Sequence, residues 1–116
     1  MGQERTLSLV IPAKDEEANI ATLLTEAYGV MRDYHGFEVV LVDDGSTDST
    51  LDTAVRTARA LGGRLLTIRH ERSIGQSGAL ASGIRQARSR LIVTMDGDGQ
   101  NDPADIPAML QKANNL

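Results

Sequence analysis

Four short aliphatic runs alternate with segments whose apolar residues recur at helical spacing, and that alternation leaves few folds open. Leu7 to Ile11 (LSLVI) is the first run, ended by Pro12. Phe37 to Val42 (FEVVLV) is the second, Arg64 to Ile68 the third and weakest, and Leu91 to Met95 the fourth. After the first run, Ile20, Leu23, Leu24, Ala27 and Met31 share one face of a helix. After the second, Leu51, Ala54, Val55, Ala58 and Leu61 do the same, and Gly62-Gly63 closes that helix as C-terminal glycines do. Ser73 and Gln76 have the spacing of a capping box, opening a third helix whose buried stripe is Leu80, Ile84 and Ala87. Asp102-Pro103 has the form of an N-cap and first-turn proline for a last helix toward Leu116, with Pro107 disturbing its start. Repeated strand-helix units predict a single α/β domain over residues 1–116, a doubly wound parallel sheet with right-handed crossovers and flanking helices. The expected strand order is third, second, first, fourth.

In such sheets ligands bind at the carboxyl ends of the strands, beside the point where the strand order reverses. That rule selects Pro12-Ala13-Lys14-Asp15-Glu16-Glu17, Asp43-Asp44-Gly45-Ser46 and Asp96-Gly97-Asp98-Gly99-Gln100. The expected order gathers Glu16, Asp43, Asp96 and Asp98 around one crevice. Most of these residues also have a structural reading. Asp15 can cap the first helix, with Glu16 and Glu17 stabilised by its dipole. Asp44-Gly45 is an ordinary turn pair, and Ser46 or Thr47 can cap the second helix. Asp43 is harder to explain that way, because it ends an apolar strand, where a buried carboxylate needs a partner. Gln76 belongs to the capping box, and His35 and His70 are expected in loops as solvated side chains.

Asp96 and Asp98 stand one residue apart in a glycine-loosened turn. At a separation of about 5 Å and an effective dielectric of ~20, they repel by roughly 3 kcal/mol. Known acidic and glycine-rich motifs do not fit. An EF-hand loop from Asp96 needs glycine where Asn101 stands and glutamate where Pro107 stands. The stretch Gly78 to Gly83 continues as Ile84-Arg85, without the Gly-Lys-Ser/Thr of a phosphate-binding Walker loop. Gly75, Gly78 and Gly83 do not make a dinucleotide GxGxxG, and an aspartate-nucleophile phosphohydrolase carries its paired acids on the first strand. A hard divalent ion with oxygen ligands, Mg²⁺ or Mn²⁺, offsets the repulsion by joining the pair to a diphosphate.

Composition narrows the partners. The chain of 116 residues carries 41% hydrophobic but only 3% aromatic residues, so one aliphatic core is expected and stacking platforms for single-stranded nucleic acid are scarce. A net charge of -4 argues against a phosphate backbone and for cations, so nucleic acid is excluded as a partner. The absence of cysteine rules out disulfides and zinc-thiolate sites. Without a basic, apolar leader or an apolar run approaching ~18 residues, a soluble chain is expected.

The stretches LVIPAKDEEANI, VVLVDDGSTDST, RSIGQSGALASGI and IVTMDGDGQNDP resemble, in order and spacing, the motifs of glycosyltransferase family 2. The likeness is greatest to the branch of dolichol-phosphate mannosyltransferases and bacterial polyprenyl-phosphate glycosyltransferases, and it runs from Leu7 to about Leu110. Three positions depart from the common pattern: Lys14 in place of an aromatic, Asp15 in place of asparagine, and glycine rather than alanine between the paired acids. The resemblance implies a GT-A fold ending soon after the DxD region, the donor-binding portion of a longer enzyme. It also implies that Pro12, Ala13 and Glu16 line base and ribose, that Asp43 reads the base edge beside Asp44, and that Asp96, Asp98 and Gln100 hold metal and diphosphate. The chemistry implied is inverting transfer from a UDP- or GDP-linked sugar to a lipid phosphate at the cytoplasmic face of a membrane. A stand-alone nucleotide- or metal-binding module is the alternative. If the fourth strand is an edge, its lack of an internal charge or proline favours self-association.

Overall fold

Strand β1 (Leu7–Ala13) pairs in parallel with β2 (Phe37–Asp44) on one side and with β4 (Leu91–Thr94) on the other, and β2 pairs onward with β3 (Leu65–His70). The order β3-β2-β1-β4 is the expected one. This computed structural model describes residues 7–96 and 102–114. Between the strands lie α1 (Glu17–Val30), α2 (Thr50–Leu61) and α3 (Gln76–Gln86). After β4, a 3₁₀ turn at Pro103–Asp105 leads into α4 (Ile106–Asn114).

Two faces of the sheet are covered differently. Leu7, Leu9, Ile11, Val39 and Leu41 pack with Ile20, Leu23, Leu24 and Ala27 of α1, Ala54 of α2 and Ile106 at the start of α4. The alternate residues Val10 and Val42 meet α3 on the opposite face. Crossovers of one hand require this: reversing direction after β3 carries the next helix to the other face. β1 and β2 lie under cover on both sides and are buried at every position, whereas β3 and β4 are half-exposed.

The aliphatic face expected for α1 is the one observed, including Met31 just past its end. Gly62 closes α2 in the left-handed conformation, φ 68°, donating to the carbonyls of Ala58 and Arg59. Asp102 caps the last segment as expected, accepting from the Ala104 amide at 2.9 Å.

Four local expectations are corrected. β1 runs through Pro12 to Ala13 rather than stopping at Ile11. The Met95 amide donates to the Val10 carbonyl, and β1-β4 pairing ends at Val10-Thr94. Side alternation turns Pro12 the same way as Val10, beyond that last pair, so no ladder bond needs its missing N–H. β3 ends two residues later than expected, at His70, because β2 continues to Asp44 and pairs with it. The capping box does not form: α3 starts at Gln76 after Gly75 at φ 94°, with no side-chain cap.

The fourth correction concerns α3, which buries Ala79, Ser82 and Gly83, while Ile84 is 44% exposed. A Cβ at Gly83 would stand 2.4 Å from Val10 Cγ1. The helix approaches the sheet so closely that only small residues fit beneath it.

Candidate functional site

At the carboxyl ends of the strands, where the order reverses between β1 and β4, a cleft of about 330 Å³ opens. Pro12, Ala13, Lys14 and Glu16 form its β1 side. Ser73, Gly75, Gln76 and Ala79 form the α3 side, with Asp44 beneath them and Asp96 from the end of β4. The cleft thus brings together six of the residues selected at the strand ends: Pro12, Ala13, Lys14, Glu16, Asp44 and Asp96.

Asp44 is the hub of the α3 wall. Oδ1 accepts from the Ile74 amide at 2.9 Å and pairs with His70 Nδ1 at 2.9 Å. Oδ2 accepts from the Ser73 hydroxyl at 2.9 Å and the Gly75 amide at 3.0 Å. Each oxygen therefore uses both of its lone-pair directions, and no acceptor capacity is left over. Burial pushes this carboxyl up, but the bonds from His70, Ile74, Ser73 and Gly75 together outweigh it and hold the pKa at about 2. Next in the chain, Gly45 sits at φ 77°, and a Cβ there would stand 2.7 Å from the Ser73 amide nitrogen. The turn after β2 and the loop before α3 therefore touch backbone to backbone.

Asp43 has a different place. Side-chain alternation along β2 turns it toward α1 and α2, away from Asp44, and it does not line the cleft. The residue is 2% exposed and accepts from the Ser46 amide at 3.1 Å.

The β1-α1 and β2-α2 loops are bolted together beside the cleft. The Asp15 amide donates to Ser46 Oγ at 2.9 Å, and Asp15 Oδ1 accepts from the Thr47 amide at 2.7 Å. Asp15 itself is left-handed, φ 53°. Asparagine and aspartate tolerate that conformation best among residues with a Cβ. Asp15 is therefore a loop bolt and not the cap expected for α1, whose N-cap, Glu16, makes no side-chain cap bond. Likewise Ser46 and Thr47 do not cap α2. The carboxylate of Asp48 serves its first turn, accepting from the Thr50 amide at 2.9 Å.

Gln76 donates from Nε2 to Asp96 Oδ1 at 2.5 Å, so it joins the two walls instead of completing a capping box. Asp98 and Gln100 lie outside the described residues. Among the described residues no three His, Cys, Asp or Glu side chains form a cation cage. A hard ion shared with a ligand diphosphate needs only one or two protein carboxylates, and the Asp96 carboxylate at the edge of an open cleft fits that donor set.

The sequence reading missed His70, Ser73 and Ser82. His70 was expected in a loop as a solvated side chain; it is a strand residue, paired with Asp44 in register, and its Nε2 lies 2.9 Å from Ser82 Oγ. The signal was available only as parity: extending β2 to its second aspartate places the end of β3 beside it.

The chain matches the family model described as glycosyl transferase family 2 over residues 8–116. It is 45% identical over 95% of its length to dodecaprenyl-phosphate galacturonate synthase of Rhizobium johnstonii, covering 33% of that protein. It is 36% identical over 92% of its length to undecaprenyl-phosphate 4-deoxy-4-formamido-L-arabinose transferase of Pseudomonas paraeruginosa, covering 32% of that protein. The mannosyltransferase PcManGT of Pyrobaculum calidifontis, solved with GDP-Man and Mn²⁺, superposes with a TM-score of 0.77 at 27% identity, covering 90% of this chain and 31% of that one. TarS of S. aureus, solved with UDP-GlcNAc, gives 0.78 at 25% identity, covering 95% of this chain and 31% of that one. The chain therefore spans about a third of the length of these relatives. Its doubly wound sheet is the GT-A arrangement, and by sequence and fold it belongs to glycosyltransferase family 2.

Proposed function

We propose that this chain is the donor-binding part of a glycosyltransferase that moves a sugar, with inversion, from a UDP- or GDP-linked donor to a polyprenyl phosphate. One observation carries the reading: the cleft at the strand-order reversal unites the β1 end, the α3 loop and Asp96. Its support comes from relatives named for polyprenyl-phosphate products and neighbours solved with GDP-Man or UDP-GlcNAc. Pro12, Ala13 and Glu16 take the base and ribose side. Asp43, assigned the base edge by resemblance, stands outside the cleft and braces the turn after β2 through the Ser46 amide. Asp96, with Asp98 and Gln100, holds Mg²⁺ or Mn²⁺ and the diphosphate, and Gln76 orients Asp96. When bound, the ion supplies Lewis-acid stabilisation of charge on the departing nucleoside diphosphate. An acceptor phosphate is already ionised, so transfer to it needs no general base. No described helix is long and apolar enough to cross a membrane. The lipid acceptor puts the complete protein at a membrane surface, which we assign to the cytoplasmic side.

The test is thermal unfolding with UDP and GDP, with and without Mn²⁺. At 100 times Kd the stabilisation is about 2.7 kcal/mol, and it is larger with the ion present. Asp96→Asn and Asp98→Asn should each remove the metal-dependent part. A full metal-dependent shift in either variant would take that residue out of the site.

The topology adds an expectation about assembly. Among the described residues β4 pairs only with β1, its run has no charge or proline, and Ile92 is 39% exposed. Such an edge invites another strand. The chain alone therefore self-associates across β4, with two-fold symmetry if the contact is ordered. Size exclusion with light scattering from low to high micromolar should show mass rising with concentration; a monomer throughout would overturn the assignment.

A further inference from the structure

The loop 71–75 supplies part of the cleft wall, yet it is neither helix nor strand. Its order depends on side chains. Ser73, Ile74 and Gly75 all donate to one carboxylate, that of Asp44. The remaining lone pair of Asp44 meets His70 Nδ1. An ionised carboxylate only accepts, so Nδ1 carries the proton. In the neutral ring Nε2 then accepts from Ser82 Oγ, which in turn accepts from Arg85 at 3.5 Å. One imidazole therefore links the end of β3, the end of β2 and the buried face of α3. At the far end of the loop, Gln76 reaches Asp96.

We infer that His70 is a positioning residue of the donor site, with Ser82 orienting its ring. It does not touch the cleft, whose lining passes through Asp44 and the loop. Its action is indirect. Bonded at Nδ1, it fixes the rotation of the Asp44 carboxylate, which aims the remaining lone pairs at the loop and so sets where Gln76 meets Asp96. Ser82 matters because its hydroxyl, bonded to Nε2, holds the ring plane. A donor diphosphate that meets a loop already in place loses less on ordering it, so the brace appears in affinity. This role rests on the nucleotide-sugar reading of the cleft; the ordering of the loop does not.

Two measurements on the whole chain separate these parts. Amide hydrogen exchange reads the brace without any ligand. In His70→Leu, exchange at Ile74 and Gly75 should accelerate by about tenfold or more while Val40 and Leu41 in the sheet centre stay protected. Binding of UDP and GDP with Mn²⁺ reads the consequence. His70→Leu should weaken the nucleotide that binds by about tenfold, the scale of one lost bond to a charged group. His70→Asn is the rescue, since its amide nitrogen lies where Nδ1 lies and can still donate to Asp44. It should restore loop protection and most of the affinity, with Ser82→Ala intermediate. Unchanged loop exchange in His70→Leu, or equal losses in the Leu and Asn variants, would overturn the inference, as would exchange that accelerates equally in sheet and loop. If the parent binds neither nucleotide, the donor-site reading fails and the positioning role with it, while the exchange arm still decides whether His70 orders the loop.

Discussion

Replacing Asp44 by alanine should lower stability by about 3–5 kcal/mol, the scale for removing one member of a buried, hydrogen-bonded charge network. Ser73, Ile74, Gly75 and His70 all direct polar groups at this carboxylate, and alanine leaves two backbone amides without an acceptor. In a domain whose whole stability is of the order of 5–15 kcal/mol, such a loss approaches unfolding. The effect has a pH signature. The folded pKa of about 2 lies below the ordinary carboxylate value of 3.8, so the unfolded chain takes up the proton first as pH falls. The stabilisation is complete above about pH 4 and is lost between there and about pH 2, an amount of the order of 1–2 kcal/mol given partial solvent screening. Urea titrations of parent and variant at pH 6 and pH 2.5 check this. The gap between them should narrow at the lower pH; a constant gap would mean that the carboxylate gains nothing from its donors as an anion.

Gly45→Ala should cost about 3 kcal/mol or more, although it adds a single methyl group. Two terms combine. The left-handed backbone at φ 77° costs a residue with a Cβ about 1–2 kcal/mol. The new carbon would also lie 2.7 Å from the Ser73 nitrogen and 3.0 Å from the Arg72 carbonyl carbon, backbone atoms that cannot rotate away. Relief requires moving the loop that Asp44 holds, so stability and nucleotide affinity should fall together. Paired urea melts and UDP or GDP titrations with Mn²⁺ measure both. A variant within 1 kcal/mol of the parent by the first would show that the loop yields freely.

How far the sequence could be read differs between elements for identifiable reasons. α1 was legible because its face is built from large aliphatic residues, Ile20, Leu23 and Leu24, and burial of such side chains dominates orientation. α3 was not. Its large residues, Leu80 and Ile84, gave the periodicity, but the helix turns Ala79, Ser82 and Gly83 to the sheet, and Ile84 points outward. The distance at which a helix lies on a sheet is set by both partners, and here Val10 and Val42 leave no room for a larger residue at Gly83. Gln76 misled similarly. Its spacing from Ser73 satisfied a local rule, yet each side chain bonded to a carboxylate farther away in sequence, Asp96 for one and Asp44 for the other.

Alternation of apolar runs and helical stripes was enough to determine a parallel, doubly wound sheet, and with it the end of the sheet where a ligand site forms. Both follow from local periodicity plus the fixed handedness of crossovers, rules that operate within one strand-helix unit at a time. The tertiary structure alone decided what each acid does there. Asp43 and Asp44 are neighbours in sequence, but side-chain alternation sends them to opposite faces, one toward α1 and α2 and the other into a saturated network with His70 and the α3 loop. A carboxylate's role is set by the donors that reach its lone pairs. Those donors lie some 26 to 31 residues away along the chain, brought into range by parallel pairing at the ends of β2 and β3.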